Sequence, residues 1–180
     1  MDILKIGQGF RKGEIFENGS SVTERKYFDF IVNGNSLEKL LGIKSDYLIG
    51  KLGWTVNIEY ENKLINEFLG VEKPELISSR TSFYVCPECG DIGCGSITAK
   101  IEIKEKSVVW KDFSFENDSD EPFDLNQYKE IGPFEFDKTA YTNTIEKLRR
   151  KNNLRTGKFK FLFLPKLFFV RFLNSVYKVF

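Results

Sequence analysis

The sequence contains no histidine at any of its 180 positions. Histidine is the side chain whose ordinary pKa lies nearest neutrality, and its absence removes Ser-His-Asp and Cys-His arrangements together with the commonest general base. Catalysis would have to rest on carboxylates, lysine, tyrosine or cysteine. Cysteine is itself scarce: three residues, an odd number, fall within nine positions, which does not fit the paired framework of a secreted, disulfide-stapled domain. The opening Met1-Asp-Ile-Leu-Lys-Ile-Gly lacks the basic, apolar and small-residue zones of a secretory signal, so a cytoplasmic protein is expected. Ile6-Gly-Gln-Gly-Phe lacks the third glycine and the preceding strand of a dinucleotide-binding loop. No repeat at solenoid periods is present.

With 41% hydrophobic and 29% charged residues, the chain can bury a sizeable core. The reading is one α+β domain over residues 1–150 followed by a basic, aromatic-rich extension over 151–180. The net charge of +1 hides two opposed fields. From Asp112 to Asp137 there are nine acidic residues against Lys129, about −8; from Lys138 onward there are eleven basic residues against Glu146, about +10.

Hairpin signals fill residues 1–35, where Glu17-Asn-Gly-Ser is a turn and the aromatic, β-branched run Lys26 to Val32 is a strand closed by Asn33-Gly-Asn. Ser36 is placed to cap a short helix through Leu37, Leu40 and Leu41, ended by Gly42. Trp54 to Tyr60 alternates apolar and polar residues and is expected as a half-buried strand, with a brief helix from Glu61 to Leu69 ending at Gly70. Three runs, Ser82 to Cys86, Ser96 to Ile103 and Ser107 to Phe115, predict an antiparallel meander around a cysteine-rich turn. Asp137 is expected to cap a last helix, with Phe136 and Tyr141 as a hydrophobic staple and Tyr141, Ile145 and Leu148 as its apolar stripe. The fold class is therefore α+β, a mostly antiparallel sheet with two to three helices packed on it.

Two stretches could carry chemistry or contact. Cys86, Cys89 and Cys94 form C-x2-C-x4-C, and the C-x2-C spacing lets a tight turn aim two thiolates at one tetrahedral zinc. No second cysteine pair exists, so a fourth ligand would be Asp91, a distant carboxylate, water or a second subunit. The turn admits three readings: a packed scaffold, a structural zinc site, or thiol chemistry. No cofactor is expected beyond that one candidate zinc. The second stretch is the acidic segment, whose clustered carboxylates suit a basic protein partner and whose neighbouring phenylalanines suit anchoring. Its candidate contact residues are Asp112, Phe115, Glu116, Asp118, Asp120, Glu121, Phe123 and Asp124, with Phe134 beside them. Beyond Pro165 the tail permits a basic amphipathic helix, which can dock its apolar face on the domain or make peripheral membrane contact, and which is too short and too charged to span a bilayer. Stable nucleic-acid binding is not expected.

The runs Tyr27 to Leu37, Phe83-Tyr-Val-Cys-Pro-Glu-Cys-Gly-Asp-Ile-Gly-Cys-Gly, Val108-Val-Trp-Lys-Asp-Phe and Gly132-Pro-Phe-Glu-Phe-Asp together resemble a family of small bacterial proteins of unassigned function, some of them labelled oxidoreductase. The resemblance covers roughly residues 25–148. It implies no cofactor motif. Small bacterial α+β domains without catalytic constellations often serve as binding proteins, and an immunity protein that neutralises a toxin domain by direct contact is the function expected. The alternative is a thiol-redox or zinc-dependent enzyme built on the cysteine turn.

Overall fold

The computed structural model describes residues 1–117 and 124–155. Its strands are β1 (Leu4–Arg11), β2 (Glu14–Ile15), β3 (Ser21–Val22), β4 (Arg25–Val32), β5 (Asn35–Ser36), β6 (Ile49–Gly50), β7 (Thr81–Val85), β8 (Ser96–Ile103), β9 (Ser107–Glu116) and β10 (Phe134–Asp137). Three helices, α1 (Leu37–Leu40), α2 (Ile58–Leu69) and α3 (Lys138–Arg155), complete an α+β fold. No helix among the described residues is long and apolar enough to cross a membrane.

Two antiparallel sheets dominate, one in the order β1-β4-β5 and one in the order β10-β9-β8-β7-β6. They meet at both edges. Phe28 of β4 donates its N–H to Leu52 O at 2.8 Å, just past β6. At the other edge Asp2 bridges to Phe136, its N–H reaching Glu135 O at 2.7 Å while its carboxylate accepts from Glu135 N at 2.7 Å. The approach at the first edge is close enough that a Cβ on Gly50 would lie 2.1 Å from Phe28 O.

The expected meander is present as β7-β8-β9, with register shifts between Ser82 and Tyr84 and between Thr98 and Lys100. The hairpin signals resolve into the long pair β1 and β4, with the Glu17-Asn-Gly-Ser turn joining the short arms β2 and β3. Trp54 to Tyr60 is not a strand. Asn57 accepts from Tyr60 N at 3.0 Å and starts α2 at Ile58. The alternation was only apparent: Val56 is exposed and Ile58 and Tyr60 are half-buried, while the helix buries Glu61, Leu64, Ile65, Glu67 and Phe68 at helical spacing. The capping predictions hold at Ser36, which accepts from Lys39 N, at Gly70, a left-handed C-cap with φ 68°, and at Asp137, which accepts from Ala140 N at 2.8 Å. The Phe136 and Tyr141 rings stack with centroids 5.8 Å apart. β10, which pairs with β9 through Phe134 to Trp110, was not foreseen.

The core is aromatic. Trp110 packs edge-on against Phe30, Phe83 and Phe136 at 4.8–5.0 Å between centroids, an arrangement that places ring edges on ring faces. Its indole N–H donates to Tyr141 OH at 3.2 Å, and that hydroxyl donates to Phe68 O at 2.8 Å, so the polar tips of two buried rings are satisfied. Burial raises the Tyr141 phenol above its ordinary value. Asp29, also buried, receives Tyr84 OH at 2.6 Å, Ser36 Oγ at 2.6 Å and Glu38 N at 3.3 Å, which pins α1 to the sheet.

Candidate metal centre

The chain leaves β7 at Val85 and re-enters the sheet at Ser96, and all three cysteines lie in the connection. Cys86 O accepts from Gly90 N at 2.9 Å, closing a turn in which Gly90 sits at φ 72°. The Asp91 carboxylate accepts from Gly93 N at 2.9 Å and starts a single 3-10 turn, Ile92–Cys94, which Gly95 ends by donating to Ile92 O at 2.7 Å. Two successive short turns thus fold the cysteines back on one another. Cys86 is half-buried, Cys89 and Cys94 are exposed, and none is in a disulfide.

The three sulfurs lie within 4.8 Å of one another. Cys89 Sγ is 3.5 Å from Cys94 Sγ, and Asp91 N donates to Cys89 Sγ at 3.4 Å. A tetrahedral zinc with Zn–S bonds of about 2.3 Å spaces its sulfurs about 3.8 Å apart, so the donor set fits one such ion. Among the described residues no carboxylate joins the set: Asp91 is spent as a cap, and Glu88 points the other way.

Electrostatics divide the thiols, favouring the anion at Cys86 and the protonated form at Cys94. Burial raises the Cys86 thiol, but the backbone N–H groups of Cys89 and Glu88 and the neighbouring thiols outweigh it, and Cys86 falls below its ordinary value. Cys94, hydrogen-bonded to Cys89 and facing the charges of Cys89 and Cys86, is pushed up to about 11. Crowded thiolates repel one another, and a divalent cation relieves that repulsion.

The turn is tied down by its neighbours. Arg11, buried at the end of β1, donates from Nη1 to Glu88 Oε1 at 2.5 Å, while Thr23 Oγ1 donates to Glu88 Oε2 at 3.0 Å. The hydrogen bond from Arg11 holds the Glu88 carboxyl below its usual range. Arg25 Nε donates to Pro87 O at 3.0 Å, and its guanidinium lies 4.8 Å from the centroid of the Trp54 ring. Trp54 in turn covers Gly90, where an added Cβ would come within 3.0 Å of the indole. An open groove of about 410 Å³ runs along this flank, lined by Arg25, Lys26, Trp54 and Val56 among others. Sequence reasoning missed the Trp54 contact because it put that residue on a strand.

Of the acidic segment's candidate residues, Asp118, Asp120, Glu121 and Phe123 lie outside the described residues, as does the tail beyond residue 155. The others separate. Phe115 is exposed and lies against the cysteine turn, its ring filling the space a Gly95 side chain would need. Glu116 pairs in register with Ser96 at the same end, but its carboxylate is turned inward, 3.7 Å from Arg80 Nε and accepting from Thr98 Oγ1 at 3.0 Å. Asp112 sits at φ 57° with its carboxylate 3.4 Å from Lys100 Nζ. Asp124 accepts from Asn126 N at 2.9 Å. Phe134 is half-buried in β10, 6.1 Å from the Phe113 ring.

Gly95 is the tightest point of the site. It has φ 99°, and an added Cβ would fall 2.2 Å from Phe115 Cζ. Gly95→Ala is therefore expected to cost about 2 kcal/mol through backbone strain and displacement of the ring. Urea unfolding checks this, and a loss below a few tenths would mean that the ring moves aside freely.

No family model matches this chain, and no curated protein and no solved structure matches it either.

A second titratable cluster, invisible to sequence reasoning, lies beside α2. Lys51 and Glu67 are both buried. Glu75 binds Lys63 Nζ at 2.9 Å and Tyr60 OH at 3.3 Å and stands 3.7 Å from Lys51 Nζ, while Glu67 Oε1 has no hydrogen-bond partner among the described residues. Burial pushes the Glu67 carboxyl up to about 7 and the Lys51 ammonium below its ordinary value.

Proposed function

We propose that the chain is a non-catalytic binding protein of the immunity type, which neutralises a basic toxin domain by direct contact, and whose contacting end is ordered by zinc on Cys86, Cys89 and Cys94. The observation that carries this reading is the convergence of the three sulfurs within 4.8 Å at the end of the sheet where β9 gives way to the acidic segment. Zinc would supply a redox-inert cross-link between the end of β7 and the start of β8 and offset the charge of the thiolates. Phe115, exposed and set on Gly95, supplies an aromatic anchor, and the carboxylates that follow it in sequence suit a basic partner by steering its approach.

Two measurements test the two halves. The purified chain is expected to carry about one zinc per molecule by elemental analysis, and metal-free protein with three freely titrating thiols would overturn the metal half. Co-expressed with a basic toxin domain encoded beside its gene, the chain is expected to co-purify with that domain and to protect the cell. Cells that die despite its presence would overturn the immunity half.

A further inference from the structure

We infer that Cys89 and Cys94 are an oxidation site, forming a reversible intramolecular disulfide when a hydroperoxide reaches the turn, and that this bond expels the metal. The release half rests on the zinc reading above; the disulfide half does not.

Three observations single out this pair. Both residues are exposed while Cys86 is half-buried, so an oxidant in solution meets them first. Their sulfurs are 3.5 Å apart, which leaves about 1.5 Å to close to a bond length of about 2.05 Å. The four residues between them, Gly90, Asp91, Ile92 and Gly93, are already folded back by the bonds of Gly90 N to Cys86 O, Gly93 N to the Asp91 carboxylate and Gly95 N to Ile92 O. The entropy of bringing the two ends together is thus spent in folding, and the two intervening glycines supply the backbone freedom for the last movement.

Cys86 is the poorer partner. It directly follows β7, and the next residue, Pro87, is buried with its carbonyl held by Arg25. Bonding it to Cys89 would require movement of a segment that the sheet and two arginines hold in place.

The chemistry balances with one peroxide. A thiolate of the pair attacks a peroxide oxygen, breaking the O–O bond; its sulfur becomes a sulfenic acid, and the departing hydroxide takes a proton and leaves as water. The second sulfur displaces the sulfenic oxygen, which leaves as a second water, and the S–S bond forms. The two sulfurs give up two electrons in total, and the two peroxide oxygens accept them. The two protons consumed come from the thiols in the metal-free chain and from solvent when zinc has displaced them. With two of three thiolates gone, Cys86 alone does not hold the ion. A dithiol supplies two electrons to restore the pair.

The test treats the full chain, zinc-loaded and metal-free, with equimolar hydrogen peroxide. After alkylation of the remaining thiols, cleavage after Glu88 separates Cys86 from the other two. The expected result is loss of two of the three titratable thiols, a peptide starting at Cys89 that is two hydrogens lighter than its reduced form, release of bound zinc to a chromophoric chelator, and reversal of all three by dithiothreitol. Cys89→Ser and Cys94→Ser are each expected to abolish the light peptide. A link that spans the Glu88 cleavage, sulfinic acid on either exposed cysteine, or chain-to-chain dimers as the main product would overturn the inference. A disulfide formed in a chain that never binds zinc would remove the zinc reading and leave the oxidation site standing. Bound zinc without an intramolecular disulfide would do the reverse.

Discussion

Replacing Arg80 with methionine is expected to cost about 3–5 kcal/mol of stability, because it strips one member from a buried ion pair and leaves the other behind. Arg80 is 1% exposed. Its Nε donates to Thr98 Oγ1 at 2.8 Å, its Nη2 donates to Thr98 O at 3.1 Å and to Asp112 O, and Glu116 stands 3.7 Å away with only 9% of its side chain exposed. The alkyl stem of methionine fills part of the volume but donates nothing, so two carbonyls and a carboxylate lose their partner. Burial lowers the Arg80 guanidinium below its ordinary value, and the charges of Glu116 and Asp112 oppose that shift; arginine nevertheless stays charged at any physiological pH. Urea unfolding of Arg80→Met and of Arg80→Met with Glu116→Gln checks the argument. The double variant should recover at least about 1 kcal/mol, since it no longer buries an unpaired charge. A single-variant loss under about 1 kcal/mol would show that the carboxylate reaches water without difficulty. The consequence reaches the proposed contact surface, because Arg80 holds both Asp112 at its positive-φ kink and Glu116 at the end of β9, with Phe115 next to it.

The second large effect is the contribution of Glu67 to the dependence of stability on pH. Glu67 is 3% exposed, and burial, opposed by Lys51 and reinforced by Glu75, sets its carboxyl at about 7 against an ordinary 4.5. A raised carboxyl means that the folded chain keeps a proton which the unfolded chain has already lost. Between about pH 4.5 and 7 the folded state therefore binds more protons, and stability falls as pH rises through that window, by as much as about 3 kcal/mol. Above it the cost is fully present; below it the cost is absent. Lys51, lowered by its own burial, acts in the opposite sense but in the alkaline range, where the unfolded chain holds the extra proton. Glu67→Gln keeps the shape and removes the titration, so the difference in unfolding free energy between it and the parent chain should grow from near zero at about pH 4 to about 3 kcal/mol in favour of the variant at about pH 8. A flat difference across that range would mean that Glu67 reaches solvent.

The cysteine turn was legible in the sequence because its parts are local. Cys86 to Gly95 contains its own turn glycines, its own cap in Asp91 and all three sulfurs, so ten consecutive residues carry the motif. The meander and the caps at Ser36, Gly70 and Asp137 were legible for the same reason. Where local signals competed, one was misread. The alternation from Trp54 to Tyr60 looked like a strand, but Asn57 caps a helix there and Trp54 turns out to cover the cysteine loop.

What the sequence determined by itself is the α+β class, the short-range turns and the grouping of three thiols, all properties of residues within about ten positions of one another. Tertiary structure alone decided which charges would be used inside. Glu116, which reads as part of an acidic surface, is turned in toward Arg80, 36 positions away in the chain, and Lys51 and Glu67 are brought under cover beside α2. It also decided that β10 would flank Trp110 and that Phe115 would lie on Gly95. The reason is physical. Turns and caps are satisfied by hydrogen bonds between near neighbours, whereas burying a charge or seating a ring depends on which distant strand arrives alongside it, and no local pattern encodes that arrival.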